Sequence, residues 1–239
     1  AVMTMTGISM VVRAMIVLVL PGFLDTYEEL DRVRSKMAPQ FEAMFDKEGF
    51  KLVGWGDAGL NRLFSAKPFR APSDLKSLRP WVWKDELVFV ELSDVIGANA
   101  LRLGVPEVYP ALQTRMIDMV SSSALTAVAL QWYTRVKYMT GWNSAIIAGG
   151  TMMRKDKFDE LPPDLKEAFE STAARAHELV NKTIRKDDEE AYRIVVKIGF
   201  QVVDAGDSIA DWNAAYKKVR DNFTGLLFPK SLVDAVAAD

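Results

Sequence analysis

The residues best equipped for chemistry in this chain are aromatic and cationic, not nucleophilic. In Leu78-Arg-Pro-Trp-Val-Trp-Lys84, the two-residue alternation of an extended segment puts Arg79, Trp81 and Trp83 on one face. Pro80 and Val82 fall on the other. Two neighbouring indoles form a flat apolar wall carrying two N–H donors. Such a wall either seals a core or holds an organic ligand, and the segment alone does not separate the two. Catalytic constellations are missing. The single histidine, His177, lies in Ala-Arg-Ala-His-Glu-Leu-Val, a helical stretch that leaves it solvated or half-buried, with no Ser-His-Asp arrangement around it. No glycine-rich phosphate loop occurs, and the carboxylates fall on polar helix faces without forming a motif. The chain has no cysteine, which excludes disulfides, thiolate metal sites and cysteine nucleophiles. The residues therefore point away from an enzyme, a metal centre or a resident cofactor.

Composition sets further bounds. The chain has 239 residues, 49% hydrophobic and 26% charged, with a formal net charge of -2. That is long enough for one large domain or two smaller ones with their own cores. The near-neutral balance argues against nucleic acid as a partner, which would call for a basic stripe. Ala14 to Leu20 is an apolar run preceded by Arg13, superficially like a signal peptide. It is too short to span a bilayer and has no small-residue cleavage site before Pro21-Gly22. Met15 to Leu20 is expected to be a buried strand, and the sequence to begin inside a domain with no targeting segment in view.

These groups must be positioned by a series of alternating elements. Thr26 and Glu29 have capping-box spacing and open a helix through Met37. Pro39 suits the first turn of the next helix, which stops at Gly49. Lys51–Gly56 and Leu60–Ser65 read as two short strands, and Ser73 caps a small helical turn before the tryptophan segment. A helix over Asp85–Ile96 closes at Gly97, and Ala100–Leu103 returns as a strand. Helix Glu107–Thr114, strand Ile117–Ser121, helix Leu125–Tyr133 and a buried strand over Ser144–Met153 follow. Pro163 to Ile198 has no internal Pro or Gly, and Leu165, Phe169, Ala173, Ala176, Val180, Ile184, Ala191, Ile194 and Ile198 recur along it. A helix of that length runs about 54 Å at 1.5 Å per residue, more than one small domain, so it should cross two lobes. The apolar spacing is not a sustained heptad, which speaks against a coiled coil. Strand Phe200–Val203, a helix capped by Ser208 to about Asn222, and a short helix Ser231–Ala237 complete the chain. The alternation predicts an α/β protein with mostly parallel pairing.

Several stretches together resemble one family. Thr6-Gly7, Leu20-Pro-Gly-Phe23 and Tyr27-Glu-Glu-Leu-Asp31 look like its mid-domain segment. Ser65-Ala-Lys-Pro68 with Ser73-Asp-Leu-Lys-Ser-Leu78 resembles its S-x-K-P…D-L-K-G-L run. Gly97-Ala-Asn99, Glu107-Val-Tyr-Pro-Ala-Leu-Gln-Thr114 and Asp118 are close to G-A-x-P…E-V-Y-x-A-L-Q-T-G-x-x-D, and Leu161-Pro-Pro-Asp-Leu165 opens a long helix as in the family. The chain thus resembles, over essentially its whole length, the DctP-like solute-binding proteins of tripartite ATP-independent periplasmic (TRAP) transporters, and within them a sub-branch with W-V-W at this point.

The resemblance implies a two-lobed periplasmic-binding-protein fold of type II-like kind, with the long helix spanning both lobes and the N-terminal part of the first lobe missing. The expected division is 1–79 plus about 163–198 for the first lobe, and 80–162 plus 199–239 for the second. It implies periplasmic capture of a small organic acid or a more apolar monocarboxylate, and delivery to transporter membrane subunits. The alternatives are a hydrophobic-ligand carrier acting with a helical-repeat lipoprotein, or an interaction module without a ligand. The ligand-binding residues implied are Trp81, in the place of the family's carboxylate-pairing arginine, Trp83, Asn61 with Arg62 beside it, and Ser122. Trp55, Gln113 and Trp132 are further candidates for which core packing or a helix-surface amide serves as well; Trp142 and Trp212 are assigned to packing. With Trp81, Asn61 and Ser122 in these places, the cleft should favour a less acidic ligand than a dicarboxylate, because burying an unpaired carboxylate costs several kcal/mol. Arg115 stands where the family has glycine, and Pro80 must lie at an edge or crossover.

Overall fold

The computed structural model of the protein describes residues 1–238; Asp239, the end of the expected second lobe, lies outside them. The chain runs β1 (Val2–Thr4), α1 (Met5–Ser9), a 3-10 helix at Arg13–Val19, α2 (Tyr27–Lys36), α3 (Ala38–Lys47) and β2 (Phe50–Ser65). A 3-10 helix at Pro72–Ser77 leads into β3 (Trp81–Trp83), α4 (Val88–Ile96), β4 (Leu101–Leu103), α5 (Val105–Gln113), β5 (Met119–Ser122) and α6 (Ala124–Ala129). After a turn at Trp132–Thr134 come β6 (Tyr138–Thr140), β7 (Ala145–Arg154), α7 (Lys155–Asp159) and α8 (Pro163–Lys197). The last elements are β8 (Gln201–Val203), α9 (Ile209–Phe223) and α10 (Lys230–Ala237).

β2 is the backbone of the molecule. Its 16 residues span both of the strands expected at Lys51–Gly56 and Leu60–Ser65. Asp57-Ala58-Gly59 looks like a turn in sequence, but it is absorbed as a register shift against β7, with Gly59 at φ +109°. The first part of β2 pairs with β7, which also carries β1; the last part pairs with β5 and β6. These four ladders are antiparallel, and β3–β4 and β6–β8 are parallel. The expected mostly parallel sheet is therefore wrong: one long strand receiving neighbours from both directions needs fewer crossovers than the helix–strand alternation suggests. Met15 to Leu20 is likewise a buried 3-10 helix and not a strand. A run buried on all sides leaves no period by which to tell the two apart.

Two apolar cores flank β2. One gathers the Arg13–Val19 segment, α2, α3, α4, α9 and α10; the other gathers α5, α6, Trp81, Trp132 and, from α8, Ala191 and Val195. The expected boundaries at 79/80 and 198/199 do not follow this division, since α4, α9 and α10 pack with the N-terminal helices. Capping at Thr26 is as expected: its hydroxyl accepts from the Glu29 N–H, and Glu29 reaches back to the Thr26 N–H. The turn at Pro72–Ser77 is held by Asp74 instead of Ser73, and Ser208 makes no side-chain cap.

α8 spans 35 residues, about 52 Å. Of the predicted apolar row, only Ala191 is among its buried residues. Leu165, Phe169, Val180, Ile194 and Ile198 are exposed, and the buried residues are Asp188, Ala191 and Val195. The helix docks on β2 through Asn181, Arg185, Asp188 and Tyr192, spaced by four, three and four residues and so on one face. Asn181 accepts from the Asp57 N–H, Arg185 binds the Asp57 carboxylate, Asp188 accepts from the Leu60 and Leu125 N–H groups, and Tyr192 lies under the Arg62 guanidinium.

Asp118 plays a comparable part at the entry to β5. Its buried carboxylate accepts from the Arg79 backbone N–H at 2.6 Å, from Lys67 Nζ at 2.8 Å and from the Arg79 guanidinium at 3.3 Å. Burial alone would raise its pKa, but these donors together hold it below the ordinary carboxylate range. A carboxyl with a lowered folded pKa contributes stability above its unfolded value near 3.9, lost as pH falls through the folded one. Asp118→Asn is expected to cost about 1–3 kcal/mol at pH 7 and to flatten the acid limb of the stability curve. Urea unfolding between pH 7 and pH 3 measures both; an acid limb unchanged in the variant would show that other groups set it.

Candidate functional site

A cavity of about 340 Å³ opens between β3, the start of α4, β7 and the N-terminal segment. Each wall arises from a local feature of the chain. β3 begins only at Trp81, because Pro80 has no N–H to donate; its carbonyl accepts from Leu101, and it bridges Met119. Arg79 thereby stays outside, paired with Asp118, while Trp81, Val82 and Trp83 all reach the cavity. Val88, Phe89 and Leu92 present one face of α4, and Ala145, Ile146, Ile147 and Ala148 supply an aliphatic floor from β7.

The polar groups are few, and most are already engaged. Trp81 donates its indole N–H to the Leu103 carbonyl at 3.0 Å and meets Trp132 edge to face at 5.3 Å. Asn61 donates to Ser144 Oγ at 3.0 Å and accepts from Ser121 Oγ at 2.8 Å, which fixes its amide at the point where β2 passes from β7 to β5. Ser122 is buried and donates to the Ser123 carbonyl. Thr126 Oγ1 and the Ser123 hydroxyl bond each other at the start of α6. Glu86 is the one ionisable side chain among the described lining residues. Its carboxylate accepts from the Val88 and Phe89 N–H groups at 2.7 and 2.5 Å, satisfying donors at the start of α4. Burial pushes its pKa up, against the lowering effect of those N–H donors.

Of the residues singled out from the sequence, the structure brings Trp81, Trp83, Asn61, Ser122 and Trp132 to one cavity. Three others lie elsewhere. Arg62 is adjacent to Asn61 on a strand and so points to the opposite face. There its guanidinium donates to the Thr140 and Gly141 carbonyls at 3.2 and 3.0 Å and stacks 4.5 Å above the Tyr192 ring. Trp55 sits near the other end of β2, edge-on to Phe41 and Phe45 and 5.1 Å from the Arg34 guanidinium. Gln113 is exposed at the last position of α5, whose inward face is Val108, Ala111 and Leu112. Trp142 and Trp212 pack on each other, as expected. At Arg115 the backbone keeps a left-handed conformation, φ 61°, a geometry that suits glycine.

Sequence reasoning missed Glu86, Ser144 and the Ala145–Ala148 floor. Glu86 reads as an ordinary acidic residue at a helix start, and aliphatic residues in a strand give no chemical signal. Among the described residues no group of three or more His, Asp or Glu side chains could hold a metal ion, and no helix is long and apolar enough to cross a membrane.

Comparison with known proteins gives a consistent result. A family model described as bacterial extracellular solute-binding protein, family 7 (DctP), matches residues 1–225. The chain is 25% identical over 202 residues to the 2,3-diketo-L-gulonate-binding periplasmic protein YiaO of Escherichia coli, covering 84% of this chain and 61% of that protein. Its structure matches a TRAP periplasmic solute-binding protein of Shewanella oneidensis with bound succinate at a TM-score of 0.89, with 20% identity, covering 99% of this chain and 78% of that one. A TRAP periplasmic solute-binding protein of Chromohalobacter salexigens with bound D-glucuronate gives the same TM-score and identity, covering 100% of this chain and 79% of that one. The fold is therefore that of TRAP solute-binding proteins, and the chain spans about three fifths of the length of the curated relative.

Proposed function

The chain belongs to bacterial extracellular solute-binding protein family 7, and from that premise we propose that it captures a small organic solute outside the cytoplasm and delivers it to the membrane subunits of a TRAP-type transporter. The observation that carries this reading is the cavity itself. It is concave and largely apolar, with a few converging polar groups, as small-molecule sites are, and it lies between elements of the two apolar cores. Trp81, Trp83 and Trp132 form its aromatic wall, and Asn61 and Ser122 its polar edge. The solute is more apolar than the succinate and D-glucuronate held by the two structural relatives, because among the described lining residues no side chain is a cation able to pair with a carboxylate. Opening and closing would be a hinge motion about β2 and α8, which run past both cores.

Intrinsic tryptophan fluorescence tests the reading directly. Titration with small organic solutes is expected to give a saturable change, and a thermal shift with the same compound a rise in melting temperature by mass action. Trp83 is half-buried, so Trp83→Ala should weaken binding about tenfold or more while lowering stability by no more than ~1 kcal/mol. Unchanged affinity in that variant would remove the aromatic wall from the site.

A further inference from the structure

Taking solute capture in this cavity as the premise, we propose that Glu86 makes the site selective for an uncharged ligand. That ligand has an apolar body and a polar end with both an acceptor and a donor, such as a carboxamide or a hydroxyl; carboxylates are rejected. Three observations converge. First, the described lining residues include no Lys, Arg or His. The nearby guanidinium groups are committed elsewhere, Arg62 to the Thr140 and Gly141 carbonyls and Arg79 to Asp118. Second, the one ionisable side chain among the described lining residues is the Glu86 carboxyl, locked at the start of α4 by the Val88 and Phe89 N–H groups on its two oxygens. Third, indole donors are available. Trp81 spends its N–H on Leu103, whereas Trp83 and Trp132 have no such partner among the described residues.

The chemistry of each ligand class follows. A carboxylate would enter a low-dielectric cavity with no counter-ion and with Glu86 as a like charge, so both desolvation and repulsion oppose it. An ammonium group has a full charge to desolvate and three donors to satisfy; beyond the remaining lone pairs of Glu86, walls that are mostly hydrocarbon offer it no acceptor. A carboxamide or hydroxyl loses far less hydration. Its oxygen can accept from an indole N–H, and its own hydrogen can go to a remaining lone pair of Glu86.

Matched sets of probes test this on the 239-residue chain at pH 7.5. Each set carries one hydrocarbon body (butyl, isopentyl, hexyl or benzyl) bearing in turn a carboxamide, a carboxylate or an ammonium group. The expected result, by calorimetry or tryptophan fluorescence, is a best-binding body whose amide is at least tenfold tighter than its carboxylate and its ammonium. Glu86→Gln, which keeps an acceptor oxygen for α4 but no charge, should then reduce the amide-to-carboxylate ratio at least threefold. A carboxylate within threefold of its amide, or an ammonium tightest of the three, would overturn the selectivity. A ratio unchanged by Glu86→Gln would overturn the role of Glu86. Should that variant fail to fold, the wild-type ratios decide alone. If no member of any set binds, solute capture by this cavity fails first, an outcome distinct from binding with the opposite preference.

Discussion

Asp57→Leu is expected to lower the stability of this protein by about 3–5 kcal/mol, the cost of stripping one partner from a buried ion pair. The Asp57 side chain is 0% exposed and holds two guanidinium groups, Arg34 at 2.8 Å and Arg185 at 2.8 Å through Nε. Arg185 continues bidentately to Asp31 on α2 at 2.6 and 2.7 Å, with the Tyr27 ring 4.3 Å beneath it. The carboxylates raise the Arg185 pKa, whereas burial lowers that of Arg34. Removing Asp57 leaves the buried Arg34 without its closest counter-charge and detaches α8 from the bulge of β2. Urea unfolding measures the loss. Adding Arg34→Met to Asp57→Leu should recover part of it, because the pair is then replaced by apolar groups and not broken. A loss below 1 kcal/mol would mean that Arg185 and Asp31 hold the helix unaided.

Gly59→Ala should cost about 3 kcal/mol, and a comparison isolates the reason. At Gly59 a Cβ would lie 2.5 Å from Ser123 Cβ and 2.7 Å from Asp188 Cγ, on a backbone with φ +109°. Left-handed strain adds ~1–2 kcal/mol, and overpacking a filled site another 1–3 kcal/mol. Gly49 also has positive φ, +78°, but nothing lies within 4 Å of its would-be Cβ, so Gly49→Ala should cost only the strain. The excess at Gly59 reports the contact with Asp188, the residue that ties α8 to both Leu60 and Leu125. If the two variants lose equal stability, that junction is looser than the packing indicates. In the Gly59 variant ligand affinity should also fall, since the displaced Asp188 caps the strand and helix that carry Asn61 and Thr126.

Both predictions concern the joint between β2 and α8, and that joint was the least legible part of the sequence. The extent of α8 could be read from its freedom from Pro and Gly between Pro163 and Lys197, and the start of α2 from the spacing of Thr26 and Glu29. Both are local, set by hydrogen bonds within a few residues, and so survive in the sequence as pattern. The ordered motifs from Ser65 to Asp118 likewise carried the family and the fold. The docking face of α8 was misread because apolar spacing assumes that a helix is held by its hydrocarbon. Here a row of Asn181, Arg185 and Asp188 meets backbone and charge on a bulged strand.

The site divides in the same way. Sequence alone determined that Trp81 and Trp83 stand together; Asn61 and Ser122 were added to them only as the family resemblance implies. Only the tertiary structure decided which neighbour faces inward. Strand alternation sends Asn61 to the cavity and Arg62 to Tyr192, and its phase depends on a bulge three residues earlier that spacing does not encode. Only the fold, too, puts Glu86 in the wall of the same cavity as Ala145–Ala148 of β7, about sixty residues further along the chain. Types and short spacings are written along one dimension; the charge a cavity presents depends on which distant side chains close it.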